Sequence, residues 1–132
     1  MPLGELFYEE SGKIVGTRLL PDGRIEQTLQ GSGKLSGVDI NSLYTFVGTR
    51  HSDGAIVIEG GGVSTTADGD SITIKTWGVR QTTAAGLKAR SRGFDIWQTA
   101  SQKLARLNNT TYVWETVFDE AGKYQLKVWE WG

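Results

Sequence analysis

Apolar and polar side chains alternate along most of this chain with the period of a β-strand. The alternation is clean from Arg24 onward, where Ile25, Gln27 and Leu29 fall on one side and Glu26, Thr28 and Gln30 on the other. Ser71 to Val79 repeats it, with Ile72 and Ile74 set against Thr73 and Lys75. Further strand candidates are Leu6–Glu10, Lys13–Leu20, Lys34–Val38, Leu43–Arg50, Ala55–Glu59, Leu87–Thr99 with a break at Gly93, Thr110–Phe118 and Lys123–Trp131. Turn formers stand between them: Ser11-Gly12, Pro21-Asp22-Gly23, Ser52-Asp53-Gly54, Ala67-Asp68-Gly69-Asp70 and Asp119-Glu120-Ala121-Gly122, with a small polar loop over 82–86. Proline presets φ and glycine takes the positive φ that such turns require. One stretch departs from the pattern. Ala100, Leu104 and Leu107 recur at helical spacing, which predicts a short helix near residues 100–108. Thr99 and Gln102 form a candidate capping box, and Asn108-Asn109 suit the exit. So short a helix cannot stand alone in water and must lean on the strands.

About eight or nine strands, with turn signals about every ten to twenty residues, predict an all-β fold. The expected architecture is a small antiparallel β-barrel forming one domain over residues 1–132. Glycine is abundant at 18 residues, and Gly31, Gly33, Gly60–Gly62, Gly78 and Gly93 are expected to supply the bends that let a sheet curl shut. The helix would plug one mouth or pack on the wall. The last hairpin carries large apolar groups on both faces: Tyr124, Leu126 and Val128 on one, Trp129 and Trp131 on the other. An apolar outer face implies a cover, by the helix or a second copy of the chain, so a homo-oligomer is expected.

Composition narrows the function classes. Fifteen acidic and 14 basic residues leave a net charge of -1, which argues against a nucleic-acid partner. No apolar run is long enough to span a bilayer and no leader is evident, so no membrane partner is expected. Cysteine is absent, which suits a reducing cytoplasm and excludes thiolate chemistry. With His51 as the only histidine, a zinc site is not expected, and the Asp68-Gly69-Asp70 turn lacks the further ligands of a calcium loop. No glycine-rich element precedes a helix, so no nucleotide cofactor is expected, and no other cofactor is implied. His51 reads as a solvated turn residue, and Lys88, Arg90 and Arg92 as a solvated strand face.

The informative group is acidic and aromatic. Glu59 precedes the triple glycine, and Glu115 follows Trp114 in mid-strand. A carboxylate inside a barrel lumen has its pKa raised by desolvation unless an arginine such as Arg92 pairs with it. Glu59, Arg92, Trp97, Trp114 and Glu115 are therefore the candidate ligand-binding residues, with an internal ion pair that pins strand register as the competing explanation. No catalytic residue is assigned. A ligand lumen would require a cavity of roughly 300 Å³ or more.

Gln30-Gly31-Ser32-Gly33 with Gly37-Val38, Glu59-Gly60-Gly61-Gly62-Val63, Arg92-Gly93, Gln98 to Asn108, and the ending Trp129-Glu130-Trp131 together resemble a group of small uncharacterised prokaryotic proteins. The resemblance covers most of the chain beyond about Gly16 and implies no activity. In size and inferred architecture the chain is similar to allene oxide cyclase-like and lipocalin-like barrels, as a fold analogy only. Three functions follow as expectations. The first is a barrel that holds a small hydrophobic or amphipathic ligand. The second is an oligomeric scaffold with a packed interior. The third is a cofactor-free cyclase or isomerase that uses a lumen carboxylate.

Overall fold

One tight turn is built four times. The N–H and C=O of Leu20 and Arg24, of His51 and Ala55, of Thr66 and Asp70, and of Asp119 and Lys123 close around it. In each the glycine takes the left-handed conformation, at φ +89° for Gly23, +90° for Gly54, +89° for Gly69 and +84° for Gly122. The aspartates brace it: Asp22, Asp53 and Asp119 accept a backbone N–H two residues on. A fifth turn, Ser36-Gly37, has both residues at positive φ, the two-residue form that matches strand twist.

These turns connect the strands of a closed antiparallel barrel, seen in a computed structural model that describes residues 3–82 and 87–131. The strands are β1 Leu3–Leu19, β2 Ile25–Leu35, β3 Val38–Arg50, β4 Ile56–Thr66, β5 Ser71–Thr82, β6 Ala89–Gln98, β7 Thr111–Phe118 and β8 Lys123–Trp131. Each pairs with its neighbour in sequence, and β1 pairs with β8 to close the wall. Most of the loop expected over 82–86 lies outside the described residues. No helix among the described residues is long and apolar enough to cross a membrane.

The expected turn at Ser11-Gly12 and the expected glycine bends, those at Gly60–Gly62 and Gly78 included, leave the strand pairing uninterrupted, for one reason. Ser11-Gly12 is not a turn, since β1 runs straight through it with Ser11 opposite Ser32 and Gly12 opposite Gly31. Gly31 to Gly33 leave the β2–β3 register unbroken, and β6 passes Gly93, which faces Gly78. Gly12, Gly31, Gly33, Gly60, Gly62, Gly78 and Gly93 occupy inward-facing positions. At four of these a Cβ would run into an aromatic ring, Tyr124 at Gly12, Tyr44 at Gly62 and Trp114 at Gly78 and Gly93, and at Gly31 it would meet the Tyr124 hydroxyl. At Gly33 it would meet the phenol of Tyr8. The glycines clear floor space for rings lying flat on the inner wall. The kinks sit instead in β1, where the register slips between Leu3 and Tyr8 and again between Ile14 and Gly16. The first slip turns Phe7 inward beside Tyr8.

The predicted helix is a 3-10 helix, Gln102–Leu107, and it covers the end of the barrel. Its capping differs from expectation: no side chain caps it, and Thr99 accepts the N–H of Ser101 in a local turn. Asn108 pairs with both backbone groups of Thr99, clamping entry to exit, and Asn109 takes the left-handed conformation. Leu107 is fully buried as the plug, and its carbonyl accepts the hydroxyl of Tyr112 at 3.1 Å. Lys103 ties the helix to the β4–β5 turn through Asp68 at 3.0 Å and Asp70 at 3.2 Å. Above the plug, Phe7, Trp97 and Tyr112 stack at 4.1 to 6.0 Å between centroids.

Candidate functional site

Inward positions are set by stepping two residues at a time along each strand. On β5 they run Ile72, Ile74, Thr76, Gly78, Arg80; on β6 they run Trp97, Asp95, Gly93, Ser91, Ala89. The lumen they enclose changes character from the plugged end to the open one.

Near the plug lies Glu10, 1 % exposed. Its carboxylate accepts hydroxyls from Tyr8 at 2.8 Å, Tyr124 at 2.6 Å and Tyr44 at 3.3 Å. Burial first, and the negative charge of Glu10 second, push the phenols of all three well above their ordinary range, so they stay protonated donors. A buried carboxylate satisfied from both oxygens is a structural knot. Beside its partners Tyr8 and Tyr44 only about 10 Å³ of free space remains.

One layer up stands Asp95, opposite Thr76 on β5. It accepts the indole N–H of Trp97 at 3.1 Å. Burial pushes its carboxyl up to about 6, against the opposing pull of Thr76, Trp97 and Trp114. The Trp114 indole N–H is directed at the same carboxyl and favours its ionised form, in poorer geometry than that of Trp97. Asp95, Trp114, Thr76 and Thr116 line a cavity of about 30 Å³, room for a water or two.

Arg80 lies above this cavity and belongs to two spaces. Together with Phe46 and Ile58 it lines both the 30 Å³ cavity and a mouth of about 200 Å³. The mouth is walled by Ile14, Ile25, Ile56, Leu87 and Ala89, with Gln27, Thr82 and, at the rim, Arg50 as further polar members. Arg80 donates to Gln27 at 2.5 Å and to Ser91 at 3.4 Å, and its guanidinium sits 4.8 Å from the centre of the Phe118 ring. Burial lowers its pKa. Neither space reaches the roughly 300 Å³ expected of a preformed ligand site. The lumen around Glu10 is packed, and open volume lies at the mouth and, at the other end, in a space of about 160 Å³ between the helix and Leu35, Ile40 and Thr66.

The structure divides the candidate residues. Trp97 and Trp114 point inward, each 4 % exposed. Glu59, Arg92 and Glu115 are on the outer wall, a correction to the expected lumen. Arg92 pairs there with Glu115 at 3.4 Å. The reason is parity: Ile58, Ser91 and Trp114 face in, so their chain neighbours must face out. Among the described residues the buried lumen carboxylates are Glu10 and Asp95, and the arginine within the lumen is Arg80, with Arg50 at the rim of the mouth. Tyr8, Trp97 and the run Ile72 to Thr76 carry the signal that finds them, if alternation is continued through the glycines. His51 and the row Lys88, Arg90 and Arg92 are exposed, as expected.

The outer wall carries one further feature. Trp77, Phe94, Val113, Trp129 and Leu6 lie opposite one another in register across five strands. Trp77 stacks on Phe94 at 5.1 Å, and Phe94, Leu6 and Trp131 are 43 %, 44 % and 50 % exposed. The helix covers the barrel end and leaves this belt bare.

Solved structures share this barrel fold. A protein of unknown function from Clostridium acetobutylicum superposes with a TM-score of 0.80 over 100% of both chains at 16% identity. A β-barrel-like protein from Acinetobacter baumannii gives 0.76 over 98% of this chain and 96% of its own, at 18% identity. An enzyme from Penicillium herquei gives 0.66 over 98% and 96%, also at 18% identity. At these identities the likeness concerns the fold. No protein-family model and no curated protein matches the sequence.

Proposed function

We propose that the barrel binds a small amphipathic molecule through its open end, apolar against the mouth wall and polar toward the buried polar groups at its base. The observation that carries this is the open upper lumen, where Phe46, Ile58 and Arg80 join the cavity at Trp114 and Asp95 to a mouth of about 200 Å³. Trp97 remains part of the site as the donor that orients Asp95. The outer Glu59, Arg92 and Glu115 play no part in it. The test is intrinsic tryptophan fluorescence titrated with small amphipathic alcohols, acids and amides. Saturable quenching in the native protein, lost in Thr82→Trp, whose indole would fill the mouth, is the expected result. No saturable response to any of them would overturn the reading.

Asp95 favours a second reading, a cofactor-free isomerase or cyclase in which this carboxyl moves a proton. A buried carboxyl with a pKa of about 6 is poised for that work near neutral pH. The belt of Trp77, Phe94, Val113, Trp129 and Leu6 supports association with a second copy of the chain.

A further inference from the structure

We propose that Arg80 makes the mouth a receptor for the carboxylate end of an amphipathic ligand, which rests on the ligand-binding reading above and names the class of molecule. Arg80 is half-buried on the inner wall, and no carboxylate among the described residues lies within ion-pair distance of it. The nearest carboxylate on the facing strand is Asp95, which pairs with Thr76 rather than with the level of Arg80. Four residues of strand separate the two levels, about 13 Å. Between them come Gly78 and Gly93, over which the Trp114 ring lies.

The partners that Arg80 does have fix its position without neutralising it. Gln27 and Ser91 accept from it, and the Phe118 ring supports its face. Gln27 is itself oriented by donating to Thr17 at 3.5 Å. Most of the guanidinium donors have no protein acceptor among the described residues. A guanidinium held in a fixed plane, partly desolvated and with free donors matches a carboxylate fork. The surrounding wall is Ile14, Ile25, Phe46, Ile56 and Leu87, which suits a ring or short hydrocarbon chain, and the second cation of the lining, Arg50, stands at the exposed rim. A cation kept inside an apolar mouth without a counter-ion costs stability, and a ligand carboxylate supplies the missing charge.

The probes are benzoate, phenylacetate and hexanoate, each compared with its neutral amide, by tryptophan fluorescence on the full chain. Each carboxylate should bind about tenfold or more tightly than its amide, since one charged hydrogen-bonded pair is worth at least that factor. Arg80→Gln should abolish the difference, and Arg90→Gln on the outer wall should leave it intact. In the native protein the Arg80 Nε–H resonance should shift saturably with benzoate, a readout that holds even if Arg80→Gln fails to fold. Equal binding of acids and amides, or an unmoved Arg80 resonance at saturation, would overturn the charge assignment and leave ligand binding standing. No saturable binding of either set would overturn both.

Discussion

Replacing Asp95 by asparagine should make the protein more stable at pH 8, not less. Burial raises the Asp95 carboxyl from 3.8 to about 6 in the folded chain. Between those values the folded state holds a proton that the unfolded state has released, so stability falls as pH climbs through this window. At about 1.4 kcal/mol per pH unit, the ionised group costs the fold about 3 kcal/mol above pH 6. Asparagine keeps an acceptor for the Trp97 N–H and carries no charge. Asp95→Asn should therefore match the native chain near pH 4 and exceed it by about 3 kcal/mol at pH 8, roughly 10 °C in melting temperature. Thermal unfolding followed by circular dichroism from pH 4 to 8 measures both ends. A variant equally or less stable at pH 8, with the native pH slope intact, would refute the claim that Asp95 is held at a cost to the fold.

Other expectations follow from the same geometry. Glu10→Gln turns three charge-assisted bonds into neutral ones and puts a donor against a tyrosine hydroxyl, so chemical denaturation should show a loss of about 2–3 kcal/mol. Gly31→Ala would drive a Cβ into the Tyr124 hydroxyl and toward Glu10, and should cost about 2 kcal/mol or more by the same measurement. Phe94→Lys places a charge in the centre of the outer belt. Light scattering at micromolar concentration should report an oligomer for the native chain and a monomer for this variant, and a native monomer would remove the proposed association.

Much of the architecture could be read from residue order. The Asp-Gly turns at 22–23, 53–54 and 68–69 and the alternation on β2 and β5 lead directly to an antiparallel barrel, and the helical triad Ala100, Leu104 and Leu107 marks the plug. The site was harder to read because strand phase was lost at the glycines. Treating Gly93 as a break allowed Arg92 to face the lumen, whereas an unbroken β6 makes Trp97, Asp95 and Ser91 share a face and sends Arg92 out. Trp114 and Glu115 are adjacent, so one strand could never bring both into the lumen. Glycine is ambiguous in sequence. The residue that permits a bend also permits a ring to lie flat on the wall, and only the Tyr124, Tyr44 and Trp114 side chains from other strands decide between them. Arg80 carried no local signal, because its meaning depends on the absence of an acid across the barrel.

The most direct test of an open, ligand-accepting upper lumen is the map of amide and side-chain chemical-shift changes on titration with benzoate. Shifts that saturate together and cluster at Arg80, Gln27, Phe118 and the Trp114 indole N–H, with Glu59, Arg92 and Glu115 unmoved, are the predicted result. Changes confined to the outer wall, or none that saturate, would contradict it.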